Sequence, residues 1–542
     1  MNDLRVPDQL HHQPVTFEGE FSKKLVTNTL FNFIGRFWSF LVALLLTPYI
    51  LSHLKVDEFG TWVLLSIFMN SFNLLDLGLG SSFVKHISQY YTHDDYDRIN
   101  RVLWSGLIFY GVLGLAQIGI GLSVQKPLFR LFHISGASDA YFLVLLSCAV
   151  SNISIMLLSV FKGVQRMDKS NSLEIKISFV QALGTILFLR AGWGVFGLAV
   201  NALIGACCAL FLSAFTLPRV IPNLSFRWHF DGPLLREMFA YGIKLQISQV
   251  GGLICFRIDK LIVSRFLGIA SVSFYEVSSR LTSFMRALPL ISISALIPAT
   301  AELGARQDRQ KLLRTYVLAS KYVAMLTIAI TAFLILEARS VLMLWLGPGF
   351  ESSVILVQIL AIGYGANVLG GVASQTGAGV GHPEFDMRST VLLAILNPVL
   401  SIILVMRFGA AGAAAGTTLA FVVATTYLLT SFQRNYIEGS LRSVLQEVYL
   451  RPIAAGVFAT LAVLAFRHVV PQIGSWQTVR WLAPVKMAAE FGVFAPAYIL
   501  LLVAFRQVTT IDRQNFVRLM SFGTTFVRHS FRERVGISSE FE

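Results

Sequence analysis

Arg36, Arg257 and Arg286 lie inside long apolar runs. A charge held within a membrane span costs at least ~2.5–3.5 kcal/mol, so such residues usually face a cavity or a partner and mark function. A guanidinium presents a planar fork of donors that suits phosphate oxygens. Lys260 and Arg280 occupy the same region and either line the same cavity or snorkel to an interface, as does Lys244. Three carboxylates accompany them, Asp76, Asp259 and Glu276. Near cations and away from water, such groups can take up and release protons or hold an ion. Arg257 could alternatively be a structural partner of Asp259 or Asp76. Asp76 could cap backbone or pair with a loop arginine.

Helical periodicity organises these charges. At 100° per residue, Asn32 and Arg36 share one narrow face of the first apolar run with Thr29, Ser39 and Thr47. Gln246, Gln249, Arg257 and Lys260 form one stripe of the seventh run. Ser279, Ser283, Arg286 and Ser294 form another on the eighth, where Glu276 and Arg280 stand four apart and can pair. The second run adds Ser66, Asn70 and Asn73, with Asp76 beyond them. Six cations against three anions on these four helices predict an electropositive cavity that favours an anionic head group.

Other chemistry has no foothold. There is no Gly-x-x-x-x-Gly-Lys-[Ser/Thr] for a nucleotide, no zinc-protease His/Glu spacing and no Gly-x-Ser-x-Gly elbow. No catalytic constellation, metal site or cofactor is expected. The four cysteines (Cys148, Cys207, Cys208, Cys255) sit inside apolar runs and read as small core residues.

Of the 542 residues, 55% are hydrophobic and only 14% charged, with a net charge of +14. Soluble domains carry roughly 25% charged residues. The composition excludes a soluble enzyme, a disordered chain and a nucleic-acid-binding domain. A spanning helix needs about 20 mainly apolar residues. Fourteen candidates follow, near 26–50, 60–84, 102–124, 139–161, 173–189, 195–217, 238–264, 269–297, 316–336, 352–374, 389–406, 410–432, 453–470 and 486–505. The first 24 residues read as a cytosolic tail. With the N-terminus inside, the inner segments hold 27 Lys and Arg and the outer loops 8. That bias predicts both termini in the cytoplasm. The basic C-terminal tail reads as a topology signal with attraction to anionic lipid.

The halves resemble each other at a shift of roughly 215 residues, a weak symmetry common in transporters. Asp97-Arg98-Ile99-Asn100-Arg101 matches Asp308-Arg309-Gln310-Lys311-Leu312. Gly163-Val164-Gln165-Arg166 matches Gly379-Val380-Gly381-His382. Gly194-Val195-Phe196-Gly197 matches Gly409-Ala410-Ala411-Gly412. The predicted architecture is an all-α polytopic membrane protein of about 14 transmembrane helices: two six-helix bundles around a central cavity, plus two C-terminal helices. Its parts are a tail (1–24), an N-terminal bundle (25–230), a C-terminal bundle (231–434), an amphipathic connection with two extra helices (435–505) and a basic cytosolic tail (506–542).

This layout, the run Leu74-Leu75-Asp76-Leu77-Gly78-Leu79-Gly80-Ser81-Ser82 and Arg257-Ile258-Asp259-Lys260 resemble the Wzx-type polysaccharide flippases. Their superfamily also holds the MATE multidrug exporters and the lipid II flippases, and the resemblance covers about the first 12 helices. It implies two bundles in a V, alternating access, and a polyprenyl-pyrophosphate-linked oligosaccharide as substrate. That substrate would be flipped across a bacterial cytoplasmic membrane for surface polysaccharide, exopolysaccharide or O-antigen assembly. Implied partners are the substrate, membrane lipids and polysaccharide polymerase or export machinery, with no nucleic acid. A multidrug exporter would want an acidic, aromatic cavity. A membrane-embedded polymerase or ligase would need a sizeable outer loop. A non-transporting envelope scaffold would have no need of buried arginines.

Overall fold

The computed structural model describes Trp38 and residues 41–507, apart from 74, 75, 77, 223–227, 294, 295, 437–444 and 471–479. The described residues form helices and connections with no strand. Among the described residues nine helical stretches are long and apolar enough to cross a membrane. This is the solution hydrocarbon enforces, because a helix satisfies its backbone groups internally. The protein is a multi-pass membrane protein.

The chain divides into two compact units. The first comprises 1–49, 69–124 and 137–246, and the second 50–68, 125–136 and 247–542. The first element, α1 (Leu41–His53), is a short apolar helix. It is followed by α2 (Val56–Asn73), α3 (Leu79–Thr92), α4 (Tyr96–Leu131), α5 (Ser138–Gly163), α6 (Met167–Arg190) and α7 (Gly194–Val220). In the first unit α5 packs on α3, α6 and α7. Phe83, Ile87, Tyr110, Met156 and Phe161 lie in the apolar core there. Two polar side chains inside it are bonded across helices: Asn152 donates to Gln117 at 2.8 Å, and Gln117 donates to the Phe72 carbonyl at 2.8 Å.

The expected span 60–84 is broken. α2 ends at Asn73 and α3 restarts at Leu79, with Gly78 at φ 75° between them. A Cβ at Gly78 would meet the Gly242 carbonyl oxygen at 2.2 Å, so both the backbone turn and the close approach require glycine.

α8 (Gly232–Leu267) passes from the first unit into the second. The second continues with α9 (Ile269–Ser292), α10 (Leu296–Ala305), α11 (Arg309–Leu346), α12 (Ser352–Leu369), α13 (Gly371–Gly379) and α14 (Glu384–Tyr436). Two last helices follow, α15 (Arg451–Val469) and α16 (Ala483–Ala504). α12 packs on α9, α11 and α14, while α15 and α16 pack on each other and on α11. Gly363 and Gly365 let α12 approach its neighbours closely: a Cβ would lie 2.7 Å from Thr418 Oγ1 at the first and 2.8 Å from Thr331 Oγ1 at the second. α14 is two helices joined at Gly409, whose φ of 60° and ψ of −143° lie outside the helical region.

Candidate functional site

The second unit brings together most of the charges expected within spans. Glu276, buried on α9, pairs with Lys260 from α8 and with Arg280 one turn along its own helix. The Arg280 guanidinium also lies 5.6 Å from the centre of the Phe59 ring. One carboxylate therefore holds two cations. Arg257 and Asp259 stand two apart on α8, about 200° around the helix, and cannot face each other. Arg257 is half-buried and has no carboxylate within ion-pair distance among the described residues.

Asp259 is buried and points into polar groups of α14. Ser401 Oγ lies 3.3 Å from Asp259 Oδ1, 3.0 Å from Asn397 Oδ1 and 3.3 Å from the Ala413 carbonyl. Asn397 donates to the Cys255 carbonyl at 3.2 Å. Thr417 donates to the Ala413 carbonyl at 3.0 Å and reaches the Tyr275 hydroxyl at 3.2 Å. The result is a dry, oxygen-rich pocket of one carboxylate with hydroxyl, amide and carbonyl groups. Such a set can bind a proton or a small monovalent cation. Among the described residues no three His, Cys, Asp or Glu side chains gather as a metal site.

Arg286 is the exceptional cation. Its guanidinium lies 4.2 Å from the Phe256 ring centre and 6.0 Å from that of Tyr364. Phe421 closes the aromatic cluster, 5.4 Å from each of those rings. Arg286 Nε is buried and has no hydrogen-bond partner among the described residues. Ring faces attract a cation by about 0.5–2 kcal/mol and leave its N–H edges unused. On α8 and α9 the described cations Arg236, Arg257, Lys260, Arg265, Arg280 and Arg286 outnumber Glu237, Asp259 and Glu276 six to three.

In the first unit Asp76 is a backbone cap. Its Oδ1 accepts from Gly78 N at 2.8 Å and its Oδ2 from Gly80 N at 3.4 Å, at the start of α3. This is the role that Asp takes at helix beginnings. Asn70 is half-buried on α2. Asn73 falls in α2 and Gln246 and Gln249 in α8, but their side chains, like Arg36 and Asn32, lie outside the described residues.

The sequence reading missed a second set of buried charges, Glu337, Arg467, Lys486 and Glu490. The available signal was Lys486 four residues before Glu490 inside an apolar run.

A helical multi-pass fold with cations held inside it is the architecture of a membrane transporter. The family model described as "Polysaccharide biosynthesis protein" matches residues 50–355, and the chain belongs to that family. The probable low-salt glycan biosynthesis flippase Agl15 of Haloferax volcanii is 24% identical over 345 residues, covering 62% of this chain and 71% of that protein. An uncharacterized membrane protein, EpsK of Bacillus subtilis, is 23% identical over 469 residues, covering 83% and 91%. Among solved structures, the lipid II flippase MurJ in an inward closed conformation aligns with a TM-score of 0.64 at 15% identity, over 89% of this chain and 99% of that one. An inward-facing MATE family multidrug transporter aligns with a TM-score of 0.61 at 17% identity, over 77% and 96%. These likenesses establish the fold.

Proposed function

We propose that the protein flips a polyprenyl-pyrophosphate-linked oligosaccharide across a bacterial cytoplasmic membrane by alternating access, with both termini in the cytoplasm. The observation that carries the reading is Arg286: a half-buried guanidinium with aromatic walls, a buried and unsatisfied Nε and no ion-pair partner among the described residues. A cation kept in this state is stabilised by an anion that arrives, and a diphosphate offers the oxygens its N–H edges want. Arg257 and Arg36 would contact the same group, with Lys260 and Arg280 adding positive field through the net charge they keep around Glu276. Family membership and the flippase relative support the substrate class.

Asp259 supports a coupling role. Its oxygen-rich pocket can alternate between an occupied and an empty state, and we favour protons over sodium as the occupant. Asp76, as a backbone cap, is the weaker candidate.

The test is transport of a fluorescent lipid-linked saccharide in proteoliposomes. Arg286→Ala should lose substrate binding by roughly 1.5–3 kcal/mol, the worth of a hydrogen bond to a charged group. Arg286→Lys should recover it only in part, because a point charge cannot make a bidentate contact. Full transport by Arg36→Ala, Arg257→Ala and Arg286→Ala, each at normal abundance, would remove the phosphate-binding role.

A further inference from the structure

Four ionised side chains meet where α11 and α15 approach their ends and α16 begins. Arg467 Nε donates to Glu490 Oε1 at 2.8 Å and its Nη2 to Glu490 Oε2 at 2.6 Å. The same Nη2 reaches Glu337 Oε1 at 2.7 Å. Lys486 Nζ donates to Glu337 Oε2 at 2.8 Å and Ser340 Oγ at 3.0 Å, with Glu490 Oε2 at 3.4 Å. The side chains of Glu337 and Glu490 are 0% exposed and that of Lys486 1%, while Arg467 keeps 23%. Two cations and two anions cancel, and each helix supplies at least one of them.

Cohesion does not require these charges. Ala455, Ala459, Val463, Phe494, Tyr498 and Leu502 already pack with apolar residues of α11. Replacing a buried ion pair by apolar residues of similar volume is often neutral or stabilising. What apolar packing supplies poorly is register, since helices in hydrocarbon lose little by sliding or turning on one another. A charge quartet behaves differently. It is satisfied in one setting, and every other setting leaves a charge unpaired away from water.

We infer that Glu337, Arg467, Lys486 and Glu490 form a register lock that fixes the α15–α16 pair on α11 in one axial and rotational setting. The pair then moves with α11 as one body. Nothing in this inference depends on the identity of the transported substrate.

The lock is tested by disulfide trapping in native membranes, on the full chain with its four cysteines replaced by alanine. A Cβ on Gly456 would lie 3.7 Å from Ala332 Cβ. That separation suits a disulfide. Ala332→Cys with Gly456→Cys therefore reports the native register, and Leu336→Cys with Gly456→Cys reports a slip of about one turn. With the quartet intact, only the first pair should cross-link. The quadruple variant Glu337→Leu, Arg467→Met, Lys486→Met, Glu490→Leu should yield both products in comparable amounts. The charge swap Glu337→Lys, Arg467→Glu, Lys486→Glu, Glu490→Arg reverses all four signs, keeps every contact between opposite charges and should restore the single product. If the quadruple variant fails to accumulate while the swap accumulates in one register, the inference stands. A quadruple variant trapped only in the native register, or a swap that slips, overturns it.

Discussion

Arg286, half-buried, and Lys486, fully buried, are both cations held inside the second unit, and they are kept in opposite ways. Lys486 touches Glu337, Glu490 and Ser340, within a group whose charges cancel. Arg286 has aromatic faces around it and a buried Nε with nothing to bond. Burial alone therefore does not identify a binding group. A matched charge fixes how helices sit on one another, because breaking the match leaves an ion stranded. An unmatched one is a standing liability that some other step of the cycle must relieve.

Substitution separates the two directly. The largest effect is expected at the matched site. Lys486→Met strands Glu337 and Glu490 with a single cation between them. It should cost about 3–5 kcal/mol of folded stability, read as a sharp fall in membrane abundance and melting temperature. Arg286→Ala should do the reverse. Abundance and melting temperature hold or rise, since an unneutralised cation has been removed, while substrate affinity drops about ten- to hundredfold, equivalent to roughly 1.5–3 kcal/mol. If Arg286→Ala unfolds the protein and leaves the affinity of the remainder intact, the contrast between the two sites collapses.

A smaller effect is expected at Asp259. Asn preserves its shape and can still bond Ser401 and its neighbours, so stability should change by about 1 kcal/mol or less. Transport should lose its dependence on imposed proton and sodium gradients. A variant that still responds to a gradient as the parent does would place coupling elsewhere. The smallest effect belongs to Asp168, outside the spans, where Arg166 makes a two-point contact at 2.9 and 3.1 Å. That contact holds the carboxyl below its ordinary range. A lowered folded value means the stabilisation is present above the ordinary carboxylate range and is lost as pH falls through the lowered value. Both side chains are over 40% exposed, so solvent screens the pair. Asp168→Asn should lose only a slight advantage in thermal melts at neutral pH, and that difference should vanish in melts taken below the lowered carboxyl range.

The sequence made the charged positions legible because each one interrupts a hydrophobic run. It did not reveal most of their partners. Lys260 and Glu276 belong to different helices, and only the turn at Gly268 brings them together. The i, i+4 spacing of Glu276 and Arg280 gave one pairing, and the structure adds Lys260 as a second cation on the same carboxylate. The helical stripe on α8 contained Arg257 and Lys260 but could not show that Asp259, facing the other way, would meet Ser401, Asn397 and Thr417 from a helix over 130 residues later. The quartet is hidden in the sequence because Glu337, Arg467 and the Lys486–Glu490 pair sit on three helices up to about 150 residues apart, two of them beyond the repeat. The break at Gly78 was written as Asp76-Leu77-Gly78, a cap and a turn, within a stretch apolar enough to pass as one span.

Gly409 has one further consequence, for how the chain is made. It is the entire connection between the two halves of α14; the residues on either side of it are helical. The halves then close on each other, with a Cβ at Gly412 lying 2.1 Å from the Leu404 carbonyl oxygen and one at Gly416 2.5 Å from Ser401 N. No slack coil exists that would let the first half settle across the bilayer while the second waits in water. The segment from Glu384 to Tyr436 must therefore leave the insertion machinery as a single helical hairpin. Ser401 and Thr417 meet within that hairpin, both bonded to the Ala413 carbonyl, without help from any other helix.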